Sequence, residues 1–108
     1  ISKFYFETGE LKSIYNYIEG KKYGDSILYY KTGEIQCMSH YINDLKEGEW
    51  VCYFKNGKIQ TKVFFEEDKK HGVQNFYNED GSIKEEIYFI RGLKVSDPSD
   101  EPKRNANF

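Results

Sequence analysis

Gly9, Gly33, Gly57 and Gly81 stand 24 residues apart with no insertion between them, and the residues around each match column by column. A tyrosine precedes each glycine by four positions (Tyr5, Tyr29, Tyr53, Tyr77), and an aliphatic residue follows each by two (Leu11, Ile35, Ile59, Ile83). A period of this length marks a tandem array, in which one unit cannot bury its apolar face alone and stacks on the next. Fold follows from the unit, and function from the surface the stack presents.

In the third unit, Lys55-Asn56-Gly57-Lys58 separates the aromatic pair Tyr53-Phe54 from a second apolar run. Asn-Gly in that position predicts a two-residue hairpin loop with positive φ at both central residues. The equivalents read ETGE, KTGE and EDGS. Threonine resists positive φ, so the two Thr-Gly loops are expected to be looser, with only the glycine left-handed.

After the turn, Ile59, Thr61, Val63 and Phe65 alternate with Gln60, Lys62, Phe64 and Glu66, the period of a half-buried strand. The same face elsewhere reads Leu11-Ser13-Tyr15-Tyr17, Ile35-Cys37-Ser39-Tyr41 and Ile83-Glu85-Ile87-Phe89. Large residues at both ends of that face predict a buried stripe that is continuous at its two edges and thin in the centre. The links at 19–24, 43–48, 67–72 and 91–96 are polar and lysine-bearing, and the first three close on Gly24, Gly48 and Gly72, which predicts a wider reverse turn.

The chain is therefore predicted to be all-β: tandem 24-residue β-hairpin repeats forming an extended, twisted, single-layer antiparallel meander sheet. The array is expected over residues 1–95, in units 4–27, 28–51, 52–75 and 76–95, as strands of about 6–8 residues. Residues 96–108 lose the repeat and gain both prolines, which predicts a polar, disordered tail.

Lys+Arg (16) and Asp+Glu (18) are interleaved and nearly cancel, which counts against nucleic acid and against an anionic membrane as partners. No run approaches the ~20 apolar residues of a membrane helix. Compartment is left open between cytoplasmic and exported.

Enzymatic chemistry needs convergent groups in a pocket. His40 and His71 fall in different repeat columns, one on an exposed strand face and one in a turn, and neither has a Ser or Asp in a partnering motif. The carboxylates sit beside lysines, as in Glu66-Glu67-Asp68-Lys69-Lys70, and read as solvated turn charge rather than as a metal cage. No enzyme activity, cofactor or metal is expected. Cys37 and Cys52 lack zinc-site spacing, but the link between them sets their strands side by side. They are either a cross-strand disulfide or two small buried fillers, and the filler reading accounts for both columns.

Adjacent strand residues point to opposite faces, so the aromatic columns beginning at Phe4, Tyr5 and Phe6 put rings on both faces of the sheet. With no helix to cover the second face, it must meet solvent, a partner or another copy. A partner-binding surface built on Tyr30, Trp50 and Phe54 is the expectation, because such rings bury large area at small entropic cost. Open edges near Phe4–Tyr5 and Ile83–Phe89 also leave self-association available.

YFKNGKIQTKVFFEEDKKHG (53–72) and YYKTGEIQCMSHYINDLKEGEW (29–50) resemble the bacterial variant of the MORN repeat, close to Y-Y-x-N-G-K-I-x-x-x-x-x-Y-x-x-G-K-x-x-G-x-W. The resemblance covers residues 4–95 and implies an extended, curved antiparallel sheet. It further implies a non-enzymatic scaffold for a protein partner, as in YwqK-like antitoxins. The alternatives are an exported adhesin or host-contact fragment and a membrane-surface lipid-binding module. The chain departs from the pattern in having a single tryptophan: Ser26 and Gln74 hold the positions equivalent to Trp50.

Overall fold

A computed structural model describes residues 1–96; the tail expected at 96–108 lies, from residue 97 on, outside the described residues. The described residues form twelve strands: β1 (Ser2–Tyr5), β2 (Leu11–Tyr15), β3 (Tyr17–Ile18), β4 (Lys21–Lys22), β5 (Gly24–Tyr29), β6 (Ile35–Ile42), β7 (Leu45–Lys46), β8 (Gly48–Tyr53), β9 (Ile59–Glu66), β10 (Lys69–Tyr77), β11 (Ile83–Ile90) and β12 (Leu93–Val95). Ten build one antiparallel sheet that follows chain order, with β7 paired to β6, while β3 and β4 form a small separate ribbon. The molecule measures 51 × 41 × 16 Å. A thickness of 16 Å admits one sheet with its side chains, since a second sheet would sit about 10 Å away and add its own outer layer. The meander is single-layered and open.

Each glycine turn is the same object. Phe6, Tyr30, Phe54 and Asn78 donate their N–H to the carbonyls of Glu10, Glu34, Lys58 and Ser82 at 2.8 Å, and accept from Gly9, Gly33, Gly57 and Gly81 at 2.9 Å. Only the glycine has positive φ, +89° at Gly57, so Asn56 does not adopt the two-residue geometry expected of Asn-Gly. All four are three-residue loops closing on a left-handed glycine, next to a register shift at the tyrosine column. Side chains stiffen the loops. Asn56 Oδ1 accepts from Lys58 N–H at 2.9 Å and Asp80 Oδ1 from Ser82 N–H at 2.9 Å. The hydroxyls of Thr8 and Thr32 hydrogen-bond Glu10 and Glu34 and hold those carboxyls below their ordinary range.

The two-residue turns lie at the opposite end, where the sequence reads as a wider link. Glu19-Gly20, Asn43-Asp44, Glu67-Asp68 and Arg91-Gly92 all have positive φ at both positions, for example 56° and 73° at Asn43 and Asp44. Asparagine and aspartate tolerate that region, but Glu19, Glu67 and Arg91 adopt it as well, so residue preference does not decide which end takes the two-residue form. Past each of the first three tips, the strand running back meets a second irregularity. Tyr41 pairs with Lys46, but Cys37 pairs with Cys52, so the register slips by two residues around Glu47 and Gly48. Gly48 takes φ +83° there, with open space where a Cβ would stand. Gly48→Ala should therefore cost only backbone strain, about 1–2 kcal/mol by urea denaturation. Gly20→Asp, which copies Asp44 in the next unit, should change stability by less than about 0.5 kcal/mol.

Burial corrects the expected stripe. Ser13, Cys37, Ser39, Thr61 and Val63, the central residues of the inward face, are buried, whereas Ile35 and Ile83 at its edge are exposed, Ile83 by 56%. In a single layer, small side chains sink beneath the larger rings on neighbouring strands, and end residues have nothing beyond them to cover their outer side. Cys37 and Cys52, 7% and 5% exposed, are joined by a disulfide linking the second and third units, with Cα atoms 4.0 Å apart. The filler reading is thus corrected. It missed the register slip at Gly48, which places the two residues directly opposite.

Candidate functional site

The glycine-turn end and the two-residue tips differ in what they present. At the tips, each unit is tied to the one before. Asp44 and Asp68 donate their N–H to the carbonyls of Lys22 and Lys46 (3.0 and 2.8 Å), and their Oδ1 atoms accept from the N–H of the same lysines (2.7 and 3.2 Å). Gly92 repeats the first bond to Lys70 at 2.7 Å. Glu47 Oε1 accepts from Glu67 N–H at 2.8 Å. These turn carboxylates, which the sequence presents as solvated charge, splice successive hairpins.

The splice fixes a column of lysines. Lys22 Nζ lies over the rings of Tyr15 (4.4 Å) and Tyr41 (5.1 Å), Lys46 over Trp50 (5.3 Å) and Phe65 (5.1 Å), and Lys70 over Phe89 (5.0 Å). Each lysine therefore reaches the aromatic residue of the following unit, in the column Tyr41, Phe65, Phe89. Such contacts contribute about 0.5–2 kcal/mol each. Trp50 meets Phe65 edge-on at 6.2 Å and Tyr15 meets Tyr41 at 6.3 Å, so rings and ammonium groups alternate along one face. Where Gln74 replaces the tryptophan, Lys70 Nζ donates to Gln74 Oε1 at 2.9 Å. Gln74 Nε2 then donates to Thr61 Oγ1 (3.0 Å), which donates to the Asn75 carbonyl (2.8 Å). One column thus tolerates Trp or Gln, because the lysine accepts a ring or an amide oxygen as its partner.

Burial raises the pKa of the Tyr41 hydroxyl above its ordinary value of 10.0, and the neighbouring Tyr15, Asp68 and Tyr17 add to the shift. A raised folded-state pKa gives stability that is complete below pH 10 and is lost as pH rises through the folded value, because the unfolded chain ionises first. Near-ultraviolet titration should show a tyrosine that ionises after the rest, and Tyr41→Phe should remove that late step.

Tyr30, Trp50 and Phe54 are all half-buried and do not converge. Trp50 lies under Lys46 near the tips. Tyr30 and Phe54 begin glycine turns about four residues, or ~13 Å, further along the strands. The Tyr30 hydroxyl donates to the Tyr53 carbonyl at 2.5 Å and its ring carries Lys55 Nζ at 5.6 Å. Beside it, Glu34, Ile35, Tyr53, Lys55 and Gly57 line a shallow groove of about 400 Å³. His40 is on the exposed face, with Nδ1 2.9 Å from Asp25 Oδ1. His71 belongs to β10 rather than to a turn, and its Nδ1 accepts from Arg91 N–H at 3.4 Å. Among the described residues no group of three or more His, Cys, Asp or Glu could hold a metal ion.

The lysine column and the aromatic column were both visible as 24-residue periods. Their meeting was not, because it depends on the tip geometry and the slip at the second glycine. Four consecutive segments of the chain, 1–19, 22–43, 46–67 and 70–91, match the MORN repeat variant. No curated protein matches the chain.

Proposed function

The chain belongs to the MORN repeat variant family, and from that premise we propose that it is a non-enzymatic scaffold holding a protein partner along one face of its sheet. The observation that carries this reading is the ring-and-lysine face. Its aromatic groups are oriented in advance, so a partner gains their area without ordering them. Tyr30, Trp50 and Phe54 are the anchors proposed for contact, with Trp50 the one that belongs to this face. An antitoxin-like role is the special case in which the partner is a toxin.

The test is capture of partners on the purified protein, compared with a Tyr30→Ala/Trp50→Ala/Phe54→Ala variant whose circular dichroism is unchanged. A protein retained by the wild type and lost by the variant supports the scaffold reading; equal retention, or none, sinks it.

One observation favours the exported alternative. A buried disulfide joins two repeats, and such bonds persist in oxidising compartments and are rare in reducing ones. Alkylation of cells with a thiol reagent before lysis decides between compartments: protection of both cysteines supports export, and labelling of both overturns it.

A further inference from the structure

Lys22, Lys46 and Lys70 are half-buried, and each is held by the rings beneath it. Among the described residues, none of the three pairs with a carboxylate. A ring orients an ammonium group without neutralising it, so each retains its charge and free N–H donors. One unit advances the sheet by two strands at ~4.8 Å, which spaces the charges by ~9.6 Å along the array. A polyproline-II segment returns to the same side every third residue, or ~9.3 Å.

We propose that this stripe is a docking track for an extended acidic segment of a partner protein, carrying a carboxylate at every third residue in polyproline-II form. The carboxylates meet Lys22, Lys46 and Lys70 in turn, and the residues between them lie on the half-buried rings of Tyr41 and Trp50. Charge complementarity selects the sign of the partner and the repeat selects its period. A membrane does not fit the same face. Ile42 pairs with Leu45 one residue away from the Tyr41–Lys46 pair, and Ile18 with Lys21 one residue away from Tyr17–Lys22, so these exposed aliphatic side chains of the tips point to the side opposite the lysines, where the rings lie beneath the ammonium groups. A membrane-surface module needs charge and inserting side chains together. This inference rests on the scaffold reading and names the chemistry of its partner.

Trp50 is the single tryptophan and lies under Lys46, so its fluorescence reports on the track. The whole protein is titrated with (Glu-Pro-Pro)4, with (Lys-Pro-Pro)4, with an isomer of the first whose glutamates are consecutive, and with phosphatidylserine vesicles. Expected is saturable binding of (Glu-Pro-Pro)4, about tenfold or more tighter than the consecutive isomer, weakened by salt, and absent for the lysine peptide. Lys22→Met/Lys46→Met/Lys70→Met keeps the apolar stems and should abolish binding while circular dichroism is unchanged. If that variant unfolds, the single variant Lys22→Met, whose lysine does not touch Trp50, must still weaken binding severalfold.

Equal binding of the two glutamate peptides, no binding, or binding unaffected by the lysine changes overturns the proposal. So does lysine-dependent binding of vesicles without the peptide, which would assign the stripe to a membrane. If the peptide fails while capture still depends on Tyr30, Trp50 and Phe54, the scaffold reading stands and only the acidic track falls.

Discussion

Reduction of the Cys37–Cys52 disulfide lowers the stability of the array by about 3 kcal/mol, the value expected when a cross-link closes a loop of this size, with a sequence separation of 15. A change of that size in a chain this long shifts the melting temperature by roughly 10–20 °C. Scanning calorimetry with and without reductant measures it. A Cys37→Ser/Cys52→Ser variant should melt near the reduced wild type and be insensitive to reductant. Serine is already tolerated in the Cys37 column at Ser13, which is buried in the first unit, whereas Cys52 stands in a column with Phe4, Leu28 and Phe76, so packing is lost at the second position only. Equal melting of oxidised and reduced protein would remove the bond from any account of stability.

Phe65→Ala should cost about 3–4 kcal/mol, the range for an aromatic ring removed from a packed site. Phe65 is 7% exposed, supports Trp50 edge-on, and carries Lys46 on its face. Its loss leaves Trp50 and Lys46 without their shared partner, so urea denaturation followed by tryptophan fluorescence should show both the lost stability and a red-shifted native spectrum. Ile83→Ala is the control. The repeat pattern gives Ile83 a large-residue position like that of Phe65, yet it is exposed, and its truncation should cost less than about 0.5 kcal/mol. Similar costs at the two positions would mean that the tips are not where the array is held together.

These two residues show how far the pattern reaches. Alternation placed both on one face, because side-chain direction in a strand is a local property of the backbone. Depth of burial depends on what lies above the face, which no local pattern encodes. Of the residues expected to bind a partner, Tyr30 and Phe54 belong to the glycine-turn end and only Trp50 to the ring-and-lysine face. Column matching identified exposed-type aromatics without saying which end of the strand they share. The lysines of that face were legible as a column and read as turn charge, because their contacts are to rings two strands away.

By itself the sequence determined the repeat, the antiparallel meander and the places where the chain reverses. Each follows from constraints that act within a few residues: left-handed glycine, strand alternation, and a polar link every dozen positions. Tertiary structure alone decided which reversals take the two-residue form, how far the register slips at Gly48, and therefore that Cys37 meets Cys52 and that Lys46 meets Phe65. Register is set by the balance of a whole hairpin and its splice to the next. A slip of two residues leaves every side chain on its original face, so the hydrophobic pattern is the same before and after it.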